Sequence, residues 1–345
     1  MAENNRLRVI NILGGARDGG AEKFFERISL AFAKDPNIDL EIIIRKNSNR
    51  FARLKDTIKK IHQIKLFYFF NPLCHGEIQR IFDEFKPNIV LSWMNRASRL
   101  LPDSQKFNSV NIGRLGGYYK IKNYVNCDYL ITNTIDLRNF VISKGWESSK
   151  VEFIPNFVDE NSKRKLKIKH EKKIIVCLGR FHRNKGIDIL LKAMTYISNF
   201  DLWVIGSGEE KQLYNEIISE YKLDDKVSFY EWTDDISQYL NVADLLICPS
   251  RHEPFGNVIV EGWAHRIPVI VSDTGGPKLI VKNQINGLKF KNEDMFDLLK
   301  QIKLLENNLG LRKKIISNGY KEFKDKYSED LIIKKYLEFF YRVSK

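Results

Sequence analysis

The chain has 345 residues, 43% of them hydrophobic, with 22 Phe, 14 Tyr, 20 Gly and 9 Pro, a composition that excludes a disordered or fibrous protein and suits two domains rather than one core. Its four cysteines, Cys74, Cys127, Cys177 and Cys248, are scattered with no C-x-x-C pair, and no apolar run is long enough to span a bilayer; a disulfide scaffold and a membrane-spanning chain are excluded. A net charge of +14 points to an anionic partner, whether a phosphate-bearing ligand, an acidic membrane surface or nucleic acid.

No signal-peptide core precedes the first strand, Arg6 to Ile12, so a cytoplasmic or cytosol-facing chain is expected. That strand ends at Leu13-Gly14-Gly15-Ala-Arg-Asp18-Gly19-Gly20-Ala-Glu22, before a helix through Phe24, Phe25, Ile28 and Phe32. Glycines between a first strand and a first helix let backbone amides approach a phosphate or sugar, because no Cβ intervenes. The pattern is not G-x-G-x-x-G, which disfavours a dinucleotide oxidoreductase. After a strand at Ile38 to Ile44, eight Lys or Arg fall between Arg45 and Lys65 against the single acid Asp56, and Leu66-Phe-Tyr-Phe-Phe70 follows. Cations beside aromatic rings suit contact with anionic lipid; a solvated helix followed by a buried strand fits the same residues. Pro87 to Trp93 is a strand leading into Met94-Asn95-Arg96, and Arg114-Leu-Gly116-Gly117-Tyr118-Tyr119 is a second glycine-aromatic loop. A strand at Cys127 to Thr132 and a helix at Asp136 to Lys144 complete a domain of residues 1–157. The polar stretch 158–172 has no apolar periodicity and is expected to be a linker.

A second domain, 173–327, opens on the strand Lys173 to Leu178, followed by Gly179-Arg180-Phe-His-Arg-Asn-Lys185-Gly186. Arg180 and Lys185 stand on a strand-to-helix turn, where a guanidinium fork and an ammonium can clamp a diphosphate. The strand Phe200 to Ile205 leads to Gly206-Ser207-Gly208, and Val227 to Trp232 reads as an edge strand. The apolar run Ala243 to Cys248 ends at Ser250-Arg-His-Glu253-Pro-Phe255-Gly256-Asn257-Val258-Ile-Val-Glu261, with a short helix from Asn257 to Trp263. Both carboxylates and the amides of Gly256-Asn257-Val258 can face the carboxyl end of a parallel sheet, where open α/β folds bind ligands. Strand Ile267 to Val271 precedes Asp273-Thr-Gly275-Gly276, and Asp294 onward is helical, ending in a helix over 328–345.

Glu253 and Glu261, with seven residues and Pro-Phe-Gly between them, resemble the E-x7-E signature of retaining glycosyltransferases of family 4, and the Gly179-Arg180 to Lys185 and Ser272 to Pro277 segments stand at matching order and distance. The resemblance implies an α/β GT-B fold: two Rossmann-like, doubly wound domains facing a cleft, with the 328–345 helix crossing back onto the first. It also implies transfer of a sugar from a nucleoside-diphosphate donor to a glycan or glycolipid hydroxyl, as in lipopolysaccharide synthesis. Arg180 and Lys185 would neutralise the leaving diphosphate, Glu253 would accept from a donor-sugar hydroxyl, and Glu261 from the ribose. Gly14, Gly15, Gly179, Gly206, Phe255, Gly256, Asn257 and Val258 would line the donor. Asp18, Trp93, Asn95, Arg96, Arg114 and Tyr118 would face the acceptor; Trp93 stands where many members carry a histidine, with Asn95 or Arg96 supplying the polar contact instead. No metal and no cofactor are expected, the two cations serving in their place, and the acceptor would be reached at a membrane through residues 45–70. A nucleotide-sugar 2-epimerase on the same fold, and a non-catalytic basic lipid- or nucleic-acid-binding protein, are the alternative readings; no nucleic-acid recognition module is present.

Overall fold

The computed structural model describes residues 6–15, 19–65, 72–158, 160, 171–233 and 235–344. Two wholly parallel sheets carry the fold. The first holds β1 (Leu7–Leu13), β2 (Ile38–Arg45), β3 (Lys60–Ile64), β4 (Ile89–Trp93), β5 (Val110–Leu115), β6 (Tyr129–Thr132) and β7 (Val151–Phe153), in the order β3-β2-β1-β4-β5-β6-β7. The second holds β8 (Lys173–Leu178), β9 (Phe200–Ile205), β10 (Val227–Tyr230), β11 (Leu245–Cys248), β12 (Val269–Ser272) and β13 (Leu288–Phe290), in the order β10-β9-β8-β11-β12-β13. Strands covered by helices on both faces read as continuous apolar runs rather than alternating ones, which is why β1 is buried at every position but Arg8 and β11 at all four.

Strand order reverses between β1 and β4 in the first sheet and between β8 and β11 in the second. At such a reversal the flanking helices leave on opposite faces and open a crevice outside the carboxyl ends of the strands. The loops after β1, β4, β8 and β11 are the four that border these crevices.

The chain divides into a unit of Met1–Asn156 with Asp330–Lys345 and a unit of Phe157–Glu329. In the first, helix Gly20–Lys34 presents Phe24, Phe25, Ile28 and Phe32 to the sheet. The last helix, Glu329–Val343, buries Ile332, Ile333, Tyr336, Phe339 and Phe340, with the Tyr336 and Phe340 rings 5.5 and 5.8 Å from that of Phe32. Each such side chain contributes about 2 kcal/mol of gross burial, enough to hold a helix that is distant in sequence. In the second unit, apolar clusters on both faces of the sheet enclose β8, β9 and β11.

The basic stretch from Arg45 to Lys65 is structured largely from within. It forms helix Ser48–Leu54 and the edge strand β3. Arg50 is fully buried and donates to Glu26 at 3.0 Å, Arg53 takes the same carboxylate at 2.7 Å, and Lys60 and His62 pair with Glu41 at 2.8 and 2.7 Å. Arg50 is thereby withdrawn from the surface and Arg53 and His62 partly so, while Lys46, Lys55, Lys59, Lys60 and Lys65 are exposed. The aromatic run Leu66 to Phe70 lies outside the described residues, as do Asp18 and most of the 158–172 linker.

Candidate active site

In the second unit the turn after β8 and the loop after β11 meet. A short 3-10 turn, Arg183–Lys185, ends at Gly186 with φ of 62°, and a Cβ there would stand 2.1 Å from the Pro249 carbonyl oxygen, so only glycine lets the two segments approach this closely. Across the junction Lys185 Nζ donates to Glu253 Oε2, with 29% of the lysine side chain and 13% of the glutamate side chain exposed. Burial works to lower the Lys185 pKa, but the Glu253 carboxylate overrides it and the net shift is upward. Beneath the pair lie Cys177 and Cys248, whose thiols burial pushes above their ordinary range, so both are neutral near pH 7. Arg180, one residue past Gly179, is exposed and has no hydrogen-bond or ion-pair partner among the described residues.

The β11 loop continues through Phe255 and Gly256 into helix Asn257–Ala264, whose first turn has no side-chain cap. Phe255 is 4% exposed and its ring meets the Tyr327 ring at 5.9 Å, so the side chain is committed to the core. Asn257 and Val258 are half-buried, and Glu261, one turn further on, is 8% exposed. Gly206 is buried where β9 ends, its amide donating to the Tyr230 carbonyl at 2.9 Å. The Gly275-Gly276 turn supports the loop from behind: Gly276 N donates to the Glu253 carbonyl at 2.8 Å, so this amide serves the fold and not a phosphate or sugar oxygen.

In the first unit arginines tie the loop after β1 to the segment after β4 and to helix Ser48–Leu54. Arg96 Nη1 donates to the Gly14 carbonyl and Arg50 Nη1 to the Gly15 carbonyl, both at 2.9 Å. Because a trans peptide points its N–H opposite its C=O, fixing the Gly14 carbonyl on Arg96 turns the Gly15 amide away from that side chain. Asn95 Oδ1 is buried without a hydrogen-bond partner among the described residues.

Two residues expected to face the acceptor are placed inward instead. Trp93 is 1% exposed, packed on Phe24 and Phe25 at 5.8 and 5.6 Å, and its Nε1 donates to Asn11 Oδ1 at 2.5 Å. Arg114 is also 1% exposed; its guanidinium lies 4.6 Å from the Trp93 ring centroid and 4.7 Å from that of Phe24, and donates to Tyr336 Oη at 2.7 Å and Asn156 Oδ1 at 2.6 Å. Tyr118 stays 43% exposed, with its hydroxyl donating to Asp136 and its pKa raised to about 12, by burial first and then by that carboxylate.

Sequence reasoning passed over Arg251. It stands two residues before Glu253, and its guanidinium forks onto both Asp188 oxygens at 2.7 Å while Nε meets Glu293 at 2.7 Å. Partners 63 and 42 residues away leave no local signal beyond an arginine inside a motif.

Comparison with known proteins bears on this geometry. Residues 158–322 match the family described as glycosyl transferases group 1. The chain is 29% identical over 346 residues to the lipopolysaccharide core biosynthesis glycosyltransferase LpsD of Rhizobium meliloti, covering 97% of this chain and 98% of that one. It is 27% identical over 332 residues to LpsE of the same organism, covering 93% and 96%. Among solved structures, Anabaena HepE in complex with UDP and glucose superposes with a TM-score of 0.83 at 16% identity, over 98% of this chain and 100% of that one. The two doubly wound units make this a GT-B fold.

Proposed function

We propose, from the premise that the chain is a glycosyltransferase carrying a group 1 domain over residues 158–322, that it moves a sugar from a nucleoside diphosphate to a hydroxyl of a cell-surface glycan or glycolipid. The observation that carries this reading is the Lys185–Glu253 pair at the switch point between β8 and β11. A cation and a carboxylate held at one place can receive the two ends of such a donor, the diphosphate on Lys185 and a sugar hydroxyl on Glu253. Arg180, exposed and without a partner among the described residues, adds a second cation beside them. Negative charge on the leaving diphosphate grows as the glycosidic bond breaks, so cations fixed in advance stabilise the transition state more than the bound donor. Glu261 takes the ribose hydroxyls, and the amides of Gly256, Asn257 and Val258 take phosphate oxygens.

On this reading the reaction proceeds with retention and without a divalent metal, the two cations supplying the charge; activity unchanged in excess EDTA is the expected result. The names of LpsD and LpsE favour a lipopolysaccharide-core acceptor. The first unit receives it, and the exposed Lys46, Lys55, Lys59 and Lys65 hold the protein at the cytoplasmic face of an anionic membrane. Among the described residues no helix is long and apolar enough to cross a membrane. Lys55→Glu with Lys59→Glu should weaken binding to phosphatidylglycerol vesicles several-fold, and unchanged binding would remove the membrane part alone. Thermal-shift titration with UDP-, GDP- and ADP-sugars tests the donor site, UDP first because HepE was solved with it. One series should stabilise the wild type and fail to stabilise Glu261→Ala; silence across all three would sink the assignment.

A further inference from the structure

The Lys185 turn and the Glu253 loop belong to segments about seventy residues apart in sequence, and each is short. Their register must be fixed by something other than the ion pair itself, because a donor that binds both groups competes with that pair. Arg251 is the side chain that spans the junction. On the turn side Nη1 donates to the Arg183 carbonyl at 2.9 Å and, with Nη2, engages both oxygens of Asp188 in the first turn of helix Ile187–Ala193. Its own amide and that of His252 donate to the Asn184 carbonyl at 2.8 and 3.2 Å. Arg251 itself sits on the Glu253 loop, which it ties to two further segments: Nε reaches Glu293, past β13, at 2.7 Å, and its carbonyl accepts from Thr274 Oγ1, past β12, at 3.1 Å. The side chain is 21% exposed, partly shielded from the solvent that weakens surface pairs, and a planar fork loses less freedom per bond than an ammonium.

We propose that Arg251 is a positioning residue, locking the Arg183–Lys185 turn against the loop that carries Glu253 so that Lys185 and Glu253 keep their separation when a nucleoside diphosphate enters. The inference rests on the reading of Lys185 as a diphosphate ligand. It touches no substrate; it acts through the turn. Lysine at this position would keep a charge for Asp188 but could not hold Asp188, Glu293 and the Arg183 carbonyl together.

The test is calorimetric titration of wild type, Arg251→Ala, Arg251→Lys, Asp188→Asn and Lys185→Ala with UDP, GDP and ADP from pH 7 to beyond the ordinary lysine value of 10.5. Glu253, Cys248 and Cys177 face the Lys185 ammonium; burial keeps both thiols neutral near pH 7, and the hydrogen-bonded Glu253 raises the Lys185 pKa, so the separation from Glu253 governs how far Lys185 stays charged as pH rises. Arg251→Ala should bind the recognised nucleotide about tenfold more weakly at pH 7, and its alkaline loss of affinity should begin about one pH unit earlier than in wild type. Arg251→Lys and Asp188→Asn should fall between the two. A simple loss of stability would lower the melting temperature and leave the alkaline limb where it was. Wild-type affinity and an unmoved limb in Arg251→Ala would overturn the inference. If that variant fails to fold, the same unmoved limb in Arg251→Lys and Asp188→Asn would overturn it. Undiminished binding by Lys185→Ala, or no binding of any of the three nucleotides by wild type, would remove the underlying reading and the inference with it.

Discussion

At the carboxyl ends of β8 and β11 the cations stand at the surface: Arg180 is exposed, and Lys185 meets Glu253 with 29% of its side chain still in water. Around the carboxyl ends of β1, β4 and β5 arginines are committed to the protein itself, Arg114 and Arg50 buried and Arg96 exposed. Arg114 is 1% exposed between two aromatic rings, Arg50 is fully buried on Glu26 and the Gly15 carbonyl, and Arg96 spends one nitrogen on the Gly14 carbonyl. Both crevices arise from the same reversal of strand order. What differs is whether a cation is offered to a ligand or used to hold backbone, and a buried, fully engaged guanidinium lends rigidity without presenting charge. On the proposed reading the second unit takes the anionic donor and the first the acceptor hydroxyl, and the contrast in how the two units spend their cations is in keeping with that division.

The largest effect that could break this contrast is in the second unit. Lys185→Ala should lower kcat by about 10²–10³-fold, as loss of one fixed donor to developing charge does elsewhere, measured as nucleoside diphosphate released. A fall below tenfold would mean that Arg180 carries the charge alone. In the first unit Arg114→Ala should instead cost stability, about 3 kcal/mol, because it leaves Tyr336 Oη and Asn156 Oδ1 without their donor and opens a cavity beside Trp93. Thermal melts should fall by roughly 5–10 °C; a variant that melts normally but loses acceptor affinity would place a ligand-facing cation in the first unit after all. A smaller and more specific effect concerns pH. The raised pKa of Lys185 means its charge is fully present below the ordinary lysine value of 10.5 and is lost only as pH rises through the higher folded value. Glu253→Gln leaves the burial and removes the opposing carboxylate, so the alkaline limb of nucleotide binding should move down in pH, and a limb that stays in place would show that Glu253 does not hold the ammonium. The smallest change is Tyr118→Phe, which removes a half-exposed hydrogen bond to Asp136 and should cost less than about 1 kcal/mol.

Much of this architecture is legible in sequence because parallel strands under helices are apolar along their length, and glycines mark the turns between them. Glu253 and Glu261 could be placed on a loop and a helix from Pro254, Gly256 and the apolar spacing alone. Side-chain direction at a strand end is a different matter. Trp93 closes β4 as expected, yet whether it faces the crevice or the core is decided by Phe24 and Phe25 on a helix some seventy residues earlier. The same holds for Arg50 on Glu26, Arg251 on Asp188 and Arg114 on Tyr336: pairings between distant segments leave no periodic trace. Strand β3 was hidden in the basic stretch because its outward positions are Lys60 and His62, edge-strand charges that also read as a solvated segment.

The placement of helix Glu329–Val343 in the unit of residues 1–156 bears on how the protein is made. Tyr336 leaves the ribosome 222 residues after the arginine it receives. At synthesis rates of about 5–20 residues per second, Arg114 therefore waits on the order of ten seconds or more for that hydroxyl, while the Phe157–Glu329 unit has all its own strands in hand. Co-translational folding should thus complete the earlier-made unit after the later one, because it depends on a helix synthesised after residues 157–328 and stays open to chaperones until that helix arrives.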